Sequence, residues 1–330
     1  MLWRTEYANG WNQTYPEART TPTWHQGKLF VISGCGVAAS IDAETGKLLW
    51  THEVWEKYQG DFGRWGGSES PLIHDGKVFC TPTGKSTTMV ALKLADGSLV
   101  WKSASLKDGG AYVSPALIEH EGKKQIVGVG SRHIFGVDPK TGKIEWTFDY
   151  LGTYFENDGN PSRWVINCNT PLYHDGRIFV TSGYDHCGVM LQLNQDATAV
   201  SLAWKTDVLD VHHGHFVLVG GYLYGANWLN NNKGNWVCIE WNTGKKMYEK
   251  EWHSKGSIIY ADGMLYCYDE QRGNVGLVPA TPKEFKVVSS FRIHQGSKQH
   301  WAHPVISNGI FYIRRGHALM AYEIRQAGPK

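Results

Sequence analysis

No stretch of this 330-residue chain approaches the ~18 consecutive apolar residues that a membrane-spanning helix needs. Its first residues, Met1-Leu2-Trp3-Arg4-Thr5-Glu6-Tyr7, lack the basic-then-apolar pattern of a secretory leader and read as a strand. The six cysteines (Cys35, Cys80, Cys168, Cys187, Cys238 and Cys267) form no C-x-x-C, no C-x-x-C-H and no adjacent pair. That spacing excludes zinc ribbons, thioredoxin-type chemistry and c-type haem attachment. They read as small buried hydrophobes on strands, with disulfide pairing left open. Charge is nearly balanced, 33 Lys and Arg against 31 Asp and Glu, and evenly spread. Nucleic acid binding needs a clustered basic stripe, so no nucleic acid partner is expected. No segment sustains a 3.6-residue apolar period, and almost no helix is expected.

What the chain has instead is a repeat. Apolar residues around a Gly turn recur at Gly27, Gly76, Gly122, Gly176, Gly220, Gly263 and Gly309. The spacing, roughly 43 to 54 residues, is close to the four-stranded blade period of a β-propeller. A second signature follows in most repeats: a Thr-Gly or Asp-Gly turn with an aromatic four residues beyond the Gly. Examples are Asp42 to Trp50, Ala95 to Trp101, Asp138 to Trp146 and Asn242 to Tyr248. The turn glycine supplies the φ > 0 that a tight hairpin demands, and the ring packs between neighbouring blades. The reading is an all-β, seven-bladed propeller in one domain over 1–330, with blades starting near 21, 70, 114, 170, 213, 257 and 303. The last repeat has three strands, so a strand at Leu2 to Tyr7 is expected to complete it and close the ring. Eight blades would need another in the connections near 51–69 or 147–169.

The Asp-x-x-Thr-Gly-x-x-x-Trp units, through Trp50, Trp101, Trp146 and more weakly Trp204, resemble the repeat of the pyrroloquinoline-quinone-like propeller superfamily. That superfamily includes the quinoprotein alcohol dehydrogenases and the lipoprotein of outer-membrane protein assembly. The stretches His212 to Tyr224 and Trp301-Ala302-His303-Pro304-Val305 look like an uncharacterised bacterial branch of it. The resemblance implies a periplasmic or secreted binding or assembly module that acts as a monomer. The dehydrogenases are longer, have eight blades, and set a vicinal disulfide against the quinone; this chain has no Cys-Cys pair, so quinone use is not expected.

Chemistry or binding is expected on the segments that lead into each blade's first strand. Arg64-Trp65 and Arg163-Trp164 each stand ahead of a Ser/Thr-Pro, with Glu69 and Asn169 in between. Trp faces stack on sugar rings and Arg forks pair with carboxylates, so these residues suit an acidic oligosaccharide; equally, they belong to the blade scaffold. His213 and His215 share one strand face and, with His303, have the residue types of a Zn²⁺ or Mn²⁺ site, with Trp301 beside them. Alternatively, His213 or His303 acts as base and Tyr112 or Tyr260 as acid in a lyase-type elimination on a uronate. The third reading is structural, with the histidines tying blades together. Thr83-Gly84-Lys85-Ser86 only mimics the end of a P-loop, since Phe79 stands where its first Gly is required.

Overall fold

Seven two-residue hairpins set the frame. Gln26-Gly27, Asp75-Gly76, Glu121-Gly122, Asp175-Gly176, Gly220-Gly221, Asp262-Gly263 and Asn308-Gly309 all have φ > 0 at both positions. Each joins the first and second strands of a sheet, as in His25↔Lys28, His74↔Lys77 and Ser307↔Ile310. Two successive left-handed residues match the twist of the flanking strands, which is why Asp-Gly and Asn-Gly recur there. In the fifth hairpin the second turn position belongs to Gly221, one residue after the Gly220 of the repeat.

The computed structural model describes residues 2–16, 18–155 and 165–325. Among these, every sheet is antiparallel with strands in chain order. Blade 1 runs through Thr23–His25, Lys28–Ile32, Val37–Asp42 and Leu48–Glu53; blade 2 through Leu72–His74, Lys77–Cys80, Val90–Lys93 and Leu99–Lys102. Blades 3, 4, 5 and 6 begin at Ala116–His120, Leu172–His174, Phe216–Val219 and Gly256–Ala261, and also have four strands each. Blade 7 has three: Val305–Ser307, Ile310–Arg315 and Ala318–Glu323. The fold is thus all-β, a seven-bladed propeller. Its described helices are the short Val54–Lys57 and Tyr150–Phe155, and all six cysteines are free. By contacts the chain divides into two compact units, Met1–Val180 with Met190–Ala203, and Thr181–Val189 with Trp204–Lys330.

Within each unit the core lies between successive blades. Phe79, Met89 and Trp101 of blade 2 pack with Ile126, Phe135 and Val137 of blade 3. Tyr224 and Trp236 of blade 5 pack with Ile258, Leu265 and Cys267 of blade 6. The repeated wedge is a Trp laid on the next blade's outer turn. Trp50 lies over Gly97, Trp101 over Gly142 and Trp204 over Gly244; a Cβ on these glycines would stand 2.6, 2.4 and 2.8 Å from ring carbons. The indole N–H of Trp50 donates to Leu94 O at 3.1 Å, and that of Trp101 to Pro139 O at 3.2 Å.

Two expectations change. Trp146 does not reach across; it lies over Gly136 of its own blade and donates to Gln125 Oε1 at 2.9 Å. The turn it would cover has Ala197 where the others have glycine, and Gln125 Nε2 caps the Ala197 carbonyl instead. The segment Leu2 to Tyr7 carries no strand, and no fourth strand joins blade 7 among the described residues. The segment is held by side chains. Trp3 lies over Gly46 and donates to Ala43 O at 3.2 Å, and Thr5 Oγ1 donates to Gly46 O. Trp3 therefore does for blade 1 what Trp50 does for blade 2.

If these wedges carry the fold, Trp101→Ala will cost about 3–5 kcal/mol, the usual range for deleting a buried aromatic. Gly142→Ala, at φ +77° and under the same ring, will also destabilise. Urea unfolding measures both; a loss below about 1 kcal/mol for Trp101→Ala would place the blade adhesion elsewhere.

Candidate functional site

The lead-in segments of blades 1 to 4 share a register, each ending in a proline: Pro22, Pro71, Pro115 and Pro171. The residues just before these prolines stitch neighbouring segments together. Thr21 N donates to Ser70 Oγ at 2.9 Å, and Ser70 N to Ser114 Oγ at 3.0 Å. Ser68 Oγ donates to Tyr112 O at 3.3 Å, and Tyr112 N to Asn167 O at 2.9 Å. Three residues ahead of the prolines stand Arg19, Ser68, Tyr112 and Cys168. Arg19 feels both Tyr112 and Cys168 electrostatically, so three of these four side chains gather in one place.

Around them lie the residues singled out in the sequence. Arg64 is exposed, with its guanidinium 5.6 Å from the centre of the Trp65 ring, and Trp65 meets Tyr112 edge-on at 5.6 Å. The Tyr112 hydroxyl accepts from Arg64 N at 2.9 Å and Trp65 N at 3.3 Å, so it anchors this loop. Asp61, Arg64, Trp65, Tyr112, Ser131 and Ile166 line a cleft of about 250 Å³. A second cleft, about 760 Å³, lies between Glu6–Asn9 and the segment around Trp55 and Phe62. Glu69 is 3% exposed and accepts from Thr81 N at 2.9 Å and Thr81 Oγ1 at 3.0 Å. It ties its segment to Thr81, the residue that follows the second strand of blade 2, and burial pushes its carboxyl up to about 8. Asn169 is likewise buried. Arg163 and Trp164 lie outside the described residues.

The second unit holds the histidines. The His212 and His213 rings are 4.3 Å apart; Tyr184 meets His212 edge-on at 4.8 Å, and Trp301 meets His213 at 5.2 Å. His303 donates its Nε2–H to the His213 carbonyl at 2.7 Å and stacks near His215 at 6.3 Å. Behind them is an ion pair the sequence did not announce. Lys255 and Glu270, 2% and 7% exposed, meet at 2.5 Å. Lys255 Nζ also donates to Asn230 O at 3.0 Å and Asn231 O at 2.8 Å. Glu270 Oε2 lies 3.4 Å from His213 Nε2. Burial lowers His212 to about 3 and His215 to about 4, so these imidazoles are neutral. Asp210, also buried, is pushed up to about 8. His300, 4% exposed, is bound through Nδ1 to Tyr268 OH at 2.5 Å.

This geometry does not make a metal centre. No group of three His, Cys, Asp or Glu side chains converges as a cation requires among the described residues. Of the expected trio, His303 has spent Nε2 on a carbonyl, and its ring lies beside His215 rather than opposite it.

A family model described as Outer membrane protein assembly factor BamB matches residues 1–231. The chain belongs to that family. It is 22% identical over 257 residues to the BamB of Moranella endobia (strain PCIT), which covers 76% of this chain and 61% of the relative. The chain therefore spans about three fifths of that relative's length. Among solved structures, BamB from Moraxella catarrhalis superposes with a TM-score of 0.65 at 15% identity, over 89% of this chain and 81% of that one. The quinohemoprotein alcohol dehydrogenase of Comamonas testosteroni gives 0.62 at 14% identity, over 93% and 65%. At such identities these likenesses show the propeller fold alone. This BamB-family chain has no helix long and apolar enough to cross a membrane among its described residues.

Glu69 yields a pH prediction. Its folded value, about 8, lies above the ordinary 4.5, so the stability it contributes is full below 4.5 and lost as pH rises towards 8. Asp210 acts with the same sign. His186, His212, His215 and His300, held at about 3 to 4, act oppositely, but only below their ordinary 6.5. Between pH 6.5 and 8 Glu69 and Asp210 are therefore left to pull stability down, and Glu270, raised by burial, acts with the same sign. Urea midpoints across that window should fall for the wild type and fall less steeply for Glu69→Gln, in which Asp210 still titrates; equal slopes would show that Glu69 does not titrate there. By contrast, Arg64→Ala, at an exposed position, should change stability by no more than about 0.5 kcal/mol.

Proposed function

We propose that this chain is a cell-envelope assembly module, periplasmic or secreted, that holds a protein partner of outer-membrane protein assembly and presents a ligand funnel at its lead-in segments. The observation that carries this reading is the BamB family match over residues 1–231. The named relatives are assembly factors, and here that role is extended to this chain.

The surface supports a docking role. Leu48 and Leu49 on the fourth strand of blade 1 are 37% and 39% exposed, and Leu99 and Val100 on that of blade 2 are 42% and 46% exposed. Both strands end their sheets, so each offers one unpaired backbone edge beside apolar side chains. An extended segment of a partner can add to such an edge through main-chain hydrogen bonds, with Leu and Val supplying apolar contact.

Deleting the chain from its host bacterium should lower the amount of folded outer-membrane protein, read by heat-modifiable gel mobility. Wild type should restore it, and the double variant Leu49→Asp with Leu99→Asp should not, although its exposed sites leave unfolding midpoints unchanged. Normal outer-membrane protein levels after deletion would sink the assembly reading. Full rescue by the double variant would move the docking surface away from these strands.

A further inference from the structure

The larger cleft of the first unit is lined by Glu6, Tyr7, Cys35, Glu53, Glu56 and Phe62, among others. Its volume, about 760 Å³, falls within the usual range of ligand clefts, about 300–1,000 Å³. Its deep side is apolar: Val37 and Trp55 are buried, and the Trp55 ring stacks against half-buried Phe62 at 6.3 Å. Its rim is acidic. Glu6, Glu53 and Glu56 are exposed, and none of their carboxylates has a hydrogen bond or ion pair among the described residues. No lysine or arginine lines the cleft among the described residues. Lys57, next to Glu56 in the chain, is turned to the Tyr58 ring, 5.9 Å from its centre.

One wall of the cleft is open backbone. Glu6 to Asn9 belong to no strand, and no hydrogen bond reaches their N–H or C=O groups among the described residues. The segment is pinned on either side instead. Trp3 and Thr5 donate to the outer turn of blade 1, and Trp11 Nε1 donates to Thr14 O at 3.1 Å. Tyr7 packs on the blade 1 cluster of Val31, Ala39 and Ile41. Unpaired backbone groups beside an apolar surface are what an extended peptide needs to add as a strand. The side chains of such a strand alternate, one set facing the apolar side and the other the rim.

We propose that this cleft binds an extended basic segment of a protein partner, one in which lysine or arginine alternates with apolar residues. The apolar set meets Tyr7 and Phe62, the basic set meets Glu6, Glu53 and Glu56, and the backbone pairs with Glu6 to Asn9. Charge selects the occupant, because an acidic segment would meet three carboxylates and no cation. A single exposed ion pair contributes little, so binding rests on the three glutamates acting together with the apolar side and the open backbone. The inference goes beyond the assembly reading and does not rest on it. It uses neither Leu49 nor Leu99, and its test needs only the purified chain, so either can fail alone.

The test is fluorescence anisotropy with the purified full chain. The probe is a short fluorescein-labelled peptide that alternates lysine and leucine. The wild type should bind it saturably, more weakly as salt is raised, and should not bind the counterpart that alternates glutamate and leucine. The triple variant Glu6→Gln, Glu53→Gln and Glu56→Gln should bind about tenfold more weakly with an unchanged unfolding midpoint, since all three positions are exposed. The control triple Glu121→Gln, Glu251→Gln and Glu284→Gln, exposed and outside the cleft, removes the same formal charge and should bind as the wild type does. A strand presents every second residue's amide to its neighbour, so methylating alternate peptide nitrogens in one register should abolish binding and in the other should not. The proposal is overturned if the wild type shows no saturable binding, or if the two triple variants bind alike. It is equally overturned if the two methylated peptides bind alike.

Discussion

The contact between a tryptophan face and a glycine turn governs this molecule, because it works only when three conditions hold together. The turn residue must have φ > 0, it must lack a Cβ, and the ring must arrive from the preceding blade. At Gly97 and Gly142 all three are met, and the indole N–H adds a bond to a carbonyl of the same turn. Each blade is a sheet of three or four strands, too small to bury both faces by itself, so its stability depends on what its neighbours cover. The aromatic rings and the strand residues around them supply that cover, which is why the clusters around Trp101 and Trp236 draw members from two blades. With the core spent between blades, the lead-in segments are free to vary in chemistry without endangering the fold.

That division explains what the sequence disclosed. The seven hairpins were legible because positive φ at two successive positions restricts the residues to Gly, Asn, Asp and a few tolerated others. The wedges of Trp50 and Trp101 were legible because their partner turns kept the glycine of the repeat. Trp146 misled because the determinant was on the other side of the contact: Ala197 displaces the ring, and a pattern in one strand carries no record of the turn it faces. The closing strand misled differently. Leu2 to Tyr7 has the composition of a strand, but Trp3 and Thr5 fix it by side-chain contacts, for which no ladder is needed.

The candidate site was less legible, for the same reason carried further. Arg64 and Trp65 drew attention as a near-duplicate of Arg163 and Trp164, yet their backbone amides bind Tyr112, so part of that motif serves loop anchoring. Arg19 repeats nothing and was missed, although its register three residues ahead of Pro22 matches Tyr112 ahead of Pro115. Lys255 and Glu270 were missed because a buried ion pair is defined by what encloses it, and sequence separation says nothing of that. Position relative to the lead-in proline, rather than resemblance between motifs, was the usable signal.

The two clusters differ in how their charges are answered. Lys255 has three ammonium donors and three acceptors: Glu270, Asn230 O and Asn231 O. Its charge is fully met from within the unit, and the loop at 230–231 is held as a consequence. A lysine so saturated has no donor left for a ligand and no lone pair for chemistry, and the neutral histidines next to it need no ion to balance them. Arg19 is the reverse, a permanent charge with a covered edge and neighbours that stay protonated. Burial of polar groups is tolerated where they are paired, so an unpaired fork is the less expected of the two. The histidine-rich cluster, which looks the more chemical in sequence, is thus built around a lysine whose donors are all met, whereas among the described residues Arg19 Nε and Nη2 have no hydrogen-bond partner.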